Sequence, residues 1–395
     1  MSILLINQYY WPDVAATGQL LADLAEDLAA SGHEVSVLTG RGRYAIDRSV
    51  PLERRERRRG VEVRRLWCTD FGRGNILGRV SDYLSFLVTA ALAIAISRRN
   101  DIVVCLSTPP LLAAVGIIAK ARGALFVYKV EDLYPEVAIA LGALRENSLQ
   151  ARALSRLSAA VLARADTVVA LDGAMSRKLR QRGAGRVEVI PNWTDGSAIT
   201  PDSSAGETFR EKHGLGGRFI VLYSGNMGRA HRFGAVVAAA NQLATSNPEI
   251  LFLFVGAGAR AGEVRSATEF LTNVRFLPYQ KREDLPSLFN AADIHLVTLR
   301  DEVAGLLVPS KYSSALAAGK PVLLVGGAGA DLHQEITERG VGWVCRHDSG
   351  VIRDTIADSA RDSADTAERG RQARCLFESK YDRALAVRRW VEVLT

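Results

Sequence analysis

Residues 219–243 read FIVLYSGNMGRAHRFGAVVAAANQL. Five apolar residues, Phe219–Tyr223, are the length of a strand. A turn rich in glycine follows, Ser224-Gly225-Asn226-Met227-Gly228, and then the cationic stretch Arg229-Ala230-His231-Arg232. From Phe233 the apolar residues take a helical period to Leu243. A short apolar run, a glycine turn and an amphipathic helix make one βα unit. Its repetition decides the fold. Downstream the strand-like runs are Ile250–Val255, Val274–Phe276, Ile294–Thr298, Val322–Val325 and Gly342–Val344. Upstream they are Ile3–Asn7, Glu34–Thr39, Val61–Leu66, Ile102–Leu106, Leu125–Lys129, Thr167–Ala170 and Val187–Ile190. Helical patterns such as Gln19–Ala30, Pro110–Arg122 and Gln150–Ala163 lie between them. Strict alternation predicts parallel sheets with crossover helices, an α/β fold.

A chain of 395 residues exceeds what one core usually serves. Residues 195–217, DGSAITPDSSAGETFREKHGLGG, interrupt the alternation with Gly, Ser, Pro and Thr and read as a linker. The expectation is a first domain over 1–194, the linker over 195–217, a second domain over 218–378 and a C-terminal segment, 379–395, that is helical about Ala384–Val393. Composition is that of a folded globular protein, with 48% hydrophobic and 24% charged residues. Cys68, Cys105, Cys345 and Cys375 lie far apart with no metal-ligand spacing. A disulfide framework and a zinc site are therefore excluded, and a reducing compartment is expected. The N-terminal Ile3-Leu4-Leu5-Ile6 lacks a basic flank and a cleavage site and reads as a first strand.

The net charge is +7, and its placement carries more information than its size. Eight arginines against three acids fall between Arg41 and Arg59, followed by Arg64 and Arg65. Tyr44 is the one aromatic among them, so nucleic acid ranks behind an anionic membrane surface and a solvated loop. Residues 83–96, YLSFLVTAALAIAI, are almost wholly apolar and end at Arg98-Arg99. Fourteen residues fall short of the ~20 that span a bilayer, which leaves a buried helix or an interfacial one.

Open α/β sheets bind ligands at the carboxyl ends of their strands, so the turns after strands hold the candidates. After the first strand, Thr17 and Gly18 open a helix in a small-residue turn that suits a phosphate; the alternative is a helix cap and a close packing contact. Glu131-Asp132-Leu133-Tyr134-Pro135-Glu136 follows the fifth. Asp132 and Glu136 there can bind sugar hydroxyls or serve as a base, or can support the next helix N-terminus. Gly225, Asn226 and Gly228 with Arg229, His231 and Arg232 form a seat for a diphosphate. Gly256 lies in a second glycine turn, Tyr279 and Gln280 follow another strand, and Ser310-Lys311 opens the helix that ends at Gly319.

Taken together, YYWPDVAATGQ, STPPLL, VEDLYPE, VIPNW, YSGNMG, FVGAGA, FLPYQKREDLP, NAADIHLV and LVPSKYSSALAAGKPVL resemble, in this order, the GT-B glycosyltransferases of retaining family 4. The bacterial exopolysaccharide and O-antigen transferases of the colanic acid and fucosamine-transferase type are the most similar in character. The resemblance implies two Rossmann-like domains facing a central cleft, acceptor on the first and nucleotide sugar on the second, with a C-terminal helix crossing back to the first. It implies that the Gly18 turn approaches the donor diphosphate and that Arg229 and His231 present cations to it. Pro278–Gln280 would meet the nucleobase, and Ser310 and Lys311 the phosphates or ribose. The family's paired glutamates are replaced by Leu306 and Ser314, and Asp301 or Glu302 stands close upstream as a substitute carboxylate.

The expected activity is hexosyl transfer, with retention, from a UDP- or GDP-linked sugar to a lipid-linked glycan in cell-surface polysaccharide synthesis. The expected place is the inner face of the cytoplasmic membrane. Arg229 and Lys311 would neutralise the leaving diphosphate without a metal, since no D-x-D motif occurs, and no cofactor is needed because the nucleotide sugar is a substrate. The alternatives are an epimerase of the same fold and a non-catalytic nucleotide-sugar scaffold.

Overall fold

The computed structural model describes residues 1–13, 15–42, 52–72 and 76–395. Arg43, Tyr44, Asp47 and Arg48 of the basic stretch lie outside the described residues. The chain divides into two compact units, Met1–Pro191 with Val387–Thr395, and Asn192–Ala386.

The first unit is an eight-stranded sheet of β1 (Ser2–Ile6), β2 (Glu34–Gly40), β3 (Arg55–Arg58), β4 (Val61–Leu66), β5 (Ile102–Leu106), β6 (Leu125–Lys129), β7 (Thr167–Ala170) and β8 (Val187–Val189). Their spatial order is β3-β4-β2-β1-β5-β6-β7-β8. All neighbours are parallel except β3 and β4. The helices are α1 (Ala16–Ala30), α2 (Ile76–Ile96), α3 (Ala114–Ala121), α4 (Glu136–Ala140), α5 (Leu149–Arg164) and α6 (Gly173–Gln181). β3 escaped the sequence reading because RERR has no apolar alternation. An edge strand that pairs through its backbone and stays largely in solvent does not need one.

In the second unit β9 (Phe219–Ser224), β10 (Ile250–Val255), β11 (Val274–Leu277), β12 (Ile294–Leu299), β13 (Val322–Gly326) and β14 (Gly342–Cys345) form a wholly parallel sheet, ordered β11-β10-β9-β12-β13-β14. Its helices are α7 (Ser203–His213), α8 (Gly234–Ser246), α9 (Ala261–Ala267), α10 (Leu285–Asn290), α11 (Lys311–Ala317), α12 (Asp331–Arg339), α13 (Ser349–Arg361) and α14 (Ser363–Leu376). The last helix, α15 (Arg383–Leu394), begins here and ends among residues of the first unit. Every residue of β5, β10, β12 and β13 is buried, as expected of parallel strands covered on both faces.

The stretch read as a linker belongs to this second unit. Asp202 caps α7 by accepting from the Ala205 amide at 3.0 Å, and Gly214 closes it with φ +61°. Asn290 holds the entry, accepting from the Asp202 amide at 2.8 Å and donating to the Thr200 carbonyl at 2.9 Å. Arg210 ties the helix to Asp293 at 2.9 Å. The unit also starts earlier than the sequence suggested. The Thr194 amide donates to the Tyr381 carbonyl and the Arg383 amide to that of Thr194, so 192–195 is fixed to this unit's last turn.

Both sheets reverse direction beside their first strand: β1 lies between β2 and β5, and β9 between β10 and β12. Such reversals open a crevice at the strands' carboxyl ends. Below the second crevice Phe254 stacks on Phe276 at 5.3 Å and meets Phe233 edge-on at 6.0 Å. Phe254→Ala is expected to cost about 3–5 kcal/mol. It should appear as a lower denaturant midpoint for the second unit.

Candidate active site

The turns that leave β9, β10 and β11 are laced by backbone bonds. Gly225 N–H donates to the Val255 carbonyl, Met227 to Ala257 and Gly256 to Leu277, at 2.8, 2.8 and 3.0 Å. Gly256 has φ +121°, and a Cβ there would lie 2.4 Å from the Gly225 carbonyl oxygen, so no side chain fits. Gly225, Asn226 and Gly228 thus stand in a rigid loop at the switch point. Asn226 and Arg229 are exposed, and Arg229 makes no ion pair with a described residue.

Lys311 comes to this loop from the first residue of α11. Its ammonium donates to the Tyr223 hydroxyl at 2.8 Å and sits 4.0 Å from the centre of that ring. The hydroxyl in turn donates to the Asn226 carbonyl at 2.8 Å. A Cβ on Gly225 would lie 3.3 Å from Lys311 Cε, so the lysine stem lies against the loop. No described carboxylate pairs with it, and loss of hydration lowers its pKa to about 7. Tyr223, the residue that orients this lysine, was read in the sequence merely as part of a strand.

His231 is not the cation the sequence suggested. Its Nδ1–H donates to the Thr298 carbonyl at 2.6 Å, and its ring stands edge-on to Tyr223. Burial, reinforced by the charge of Lys311, lowers its pKa to about 3. At neutral pH it therefore offers an Nε2 lone pair, which accepts a hydrogen bond and repels an anion. Glu302 is likewise committed elsewhere. It bridges Arg232 at 3.1 Å and Arg300 at 3.4 Å, and its own backbone amide and Arg300 hold its carboxyl well below the usual range. Asp301 accepts from the Ala328 amide at 3.0 Å. At the positions of the family glutamates Leu306 is buried, and the Ser314 hydroxyl lies 3.1 Å from that of Thr194. Ser310 makes no side-chain cap for the seven-residue α11. Tyr279 is 38% exposed with its hydroxyl 3.4 Å from the Ala257 carbonyl, and Gln280 folds back onto the Pro278 carbonyl at 2.9 Å.

In the first unit the candidates separate. Thr17 lies inside α1, whose cap position is Ala15, so it caps nothing. The amide of Gly18 is spent on the Ala15 carbonyl at 2.9 Å. A Cβ at Gly18 would lie 3.1 Å from the Tyr9 carbonyl, so the packing alternative is the one the structure adopts. Glu136 pairs with Arg182 at 2.6 Å, and Arg182 also donates to the Tyr134 carbonyl, which makes this carboxylate a brace for α4. Asp132 differs. Its backbone amide and that of Glu131 donate to the buried Ser107 hydroxyl, at 3.4 and 2.9 Å. Its carboxyl meets no described partner, and burial, with Glu131 close by, raises its pKa to about 7. The neighbouring Glu131 is neutralised by Lys129 in a buried ion pair. At the end of β1 the buried oxygens Asn7 Oδ1 and Gln8 Oε1 have no described donor, a polar signature that hydropathy reading passed over.

Residues 16–193 match the family described as glycosyl transferase 4-like domain, and residues 206–369 match glycosyl transferases group 1. The probable glycosyltransferase WbjE of Pseudomonas aeruginosa is 26% identical over 333 residues, 82% of each chain. The putative colanic acid biosynthesis glycosyl transferase WcaI of Escherichia coli is 27% identical over 352 residues, 85% of each. Among solved structures, sucrose-phosphate synthase from Thermosynechococcus elongatus superimposes with a TM-score of 0.80 at 18% identity, over 100% of this chain and 98% of that one. The lipopolysaccharide glycosyltransferase WaaG gives 0.70 at 19% identity, over 100% and 99%. With two parallel-sheet units in the GT-B fold and both halves matched, this chain belongs to the glycosyltransferases, pairing a 4-like first half with a group 1 second half.

Proposed function

We propose that the chain transfers a hexosyl residue from a nucleotide diphosphate sugar to a lipid-linked glycan at the cytoplasmic side of a bacterial membrane, with retention, in cell-surface polysaccharide synthesis. The observation that carries this reading is Lys311, an ammonium with no counter-ion among the described residues, beside a rigid glycine loop at the sheet's switch point. Half-buried, it keeps N–H bonds for an anion whose charge grows as the glycosidic bond breaks. Exposed Arg229 supplies a second cation, so the scheme requires no metal. The relatives named for colanic acid and lipopolysaccharide synthesis support the polysaccharide role, and the Anabaena protein HepE, solved with UDP-glucose on the same fold, supports the donor class.

In the reaction the bond from the sugar's anomeric carbon to the diphosphate oxygen breaks, and a bond to the acceptor oxygen forms. The nucleoside diphosphate leaves against Lys311 and Arg229. Asp132 orients the acceptor hydroxyl and takes its proton, for which a pKa of about 7 is well matched. Glu136, held by Arg182, takes no part.

Melting measured with UDP, GDP, dTDP, CMP and ADP tests the donor. A ligand at 100 times its Kd adds about 2.7 kcal/mol, so one nucleotide should raise the melting temperature selectively. In Lys311→Ala that rise should be largely lost. If no nucleotide raises it in the unaltered chain, the non-catalytic scaffold reading without this donor takes its place.

The pH profile tests the two titrating groups. Asp132 must be ionised and Lys311 protonated, so kcat/KM should rise through pH 7 on the acid side and fall just above it. Lys311→Arg, which stays charged, should abolish the alkaline fall. Asp132→Asn should lower kcat about 10²-fold or more and remove the acid limb. Transfer that survives excess EDTA is the matching outcome for metal independence.

A further inference from the structure

The helix α2 keeps one face in the first unit and gives the other to solvent. Phe86, Ala90, Ala93 and Ile94 are buried, and Asp82 accepts from the amides of Phe71 and Gly72 at 3.0 and 3.1 Å. On the outer face Leu77, Val80, Leu84, Val88, Leu92 and Ile96, at spacings of three and four, are each between 45% and 83% exposed. The sequence reading of a fourteen-residue helix, buried or interfacial, is corrected on length. The helix has 21 residues, and its Leu77–Ile96 stretch is long and apolar enough to cross a membrane, yet only 28% of its 18-residue window is buried. A soluble protein rarely leaves so continuous an apolar stripe without a partner.

The surroundings say which partner. Residues 67–72 run alongside α2: Thr89 donates to the Trp67 carbonyl and the Thr69 amide to Ser85. They hold Trp67 and Phe71 beside the stripe, 63% and 67% exposed. Trp67 also closes a depression of about 450 Å³ walled by Arg54, Arg55, Arg64 and Arg65. A larger groove of about 1040 Å³ joins Arg55, Arg57, Arg64 and Arg98 to Ala93 and Ile94 of α2 itself, with Glu34, Glu56 and Glu62 at its wall. Arg55 stands directly opposite Arg64 in the β3–β4 ladder, a like-charged pair that is unfavourable until an anion joins it. Among the described residues Arg58 and Arg59 are paired with Glu26 and Arg65 with Glu56, whereas no ion pair holds Arg54, Arg55, Arg57, Arg64 or Arg98.

We propose that this face is a monotopic membrane-docking surface: α2 lies in the plane of an anionic bilayer, its outer stripe and Trp67 and Phe71 enter the acyl boundary, and the unpaired arginines receive lipid phosphates. An in-plane helix follows because α2's inner face is locked into the unit against β4 and α3, so the helix cannot leave to span the bilayer. Apolar insertion and cationic attraction together give the two signals that stable anchoring needs. The inference extends the membrane-borne acceptor proposed above, but it rests on groups remote in sequence from the donor loop and is tested without any sugar.

The purified chain is sedimented with vesicles of equimolar phosphatidylglycerol and phosphatidylcholine, and with phosphatidylcholine alone. The unaltered chain should bind the anionic vesicles, less at high salt. The triple variant Leu84→Ser, Val88→Ser, Leu92→Ser should lose about tenfold or more in binding. Its melting temperature and nucleotide response should not change, because these side chains cover no core. Arg55→Gln with Arg57→Gln and Arg64→Gln should remove the preference for phosphatidylglycerol. Equal binding by the serine variant, or no binding by the unaltered chain, would overturn the proposal. So would an unaltered chain that is dimeric in light scattering and a serine variant that is monomeric, because a second copy would then cover the stripe. A failed nucleotide response with vesicle binding intact would count against the donor reading alone.

Discussion

A parallel strand buried on both faces must find a partner for any polar side chain it carries, as His295 of β12 does on the Phe289 carbonyl at 3.0 Å, so most polar chemistry is driven to the strand ends. β10 and β12 are buried at every position, and the turns after β9 and β11 hold Asn226, Arg229, His231 and Tyr279. The same constraint in the first unit collects Asn7, Gln8, Ser107 and Asp132 at the ends of β1, β5 and β6. Where the strand order reverses, the covering helices part and these ends become reachable. The glycines at the turns follow from the same crowding, since at Gly256 two backbones meet with no space for a Cβ.

Within that frame, the unusual property is charge left uncompensated. Surface pairs of this chain are numerous and individually weak. Lys311 and Asp132 have each lost water without gaining a counter-ion among the described residues, which brings both toward pKa 7 from opposite sides. Neighbouring groups of the same kind are neutralised: Glu136 by Arg182, Glu131 by Lys129, Glu302 by Arg232 and Arg300. Among the described residues neither Lys311 nor Asp132 has such a partner. Tyr223 makes the arrangement tolerable by giving the ammonium a hydroxyl and a ring face.

The edge of the first sheet follows a different logic. β3 and β4 pair antiparallel at the boundary, and RERR is the kind of charged strand that protects an edge from further pairing. Here the same arginines line a groove that continues onto α2, whose outer face is apolar. Solubility alone would have put charge on that outer face and needed no aromatic residues beside it.

The sequence by itself determined the α/β class, thirteen of the strands within a residue or two, the family and the turns that carry the chemistry, because buried strands and glycine turns leave local signatures. It also held a sign of α7, Asp202 before the helix and Gly214 after it, hidden by the polar composition between them. The tertiary structure decided which candidates are free to act. The Glu136–Arg182 pair joins residues 46 apart, Glu302 meets Arg232 across 70, and His231 is held neutral by burial and by Lys311, 80 residues further along the chain. It likewise decided which side of α2 faces solvent, since apolar residues on both the inner and the outer face blur the period in its sequence. Local pattern fixes what a segment can become. Charge state and exposure depend on neighbours that only folding brings within a few ångströms.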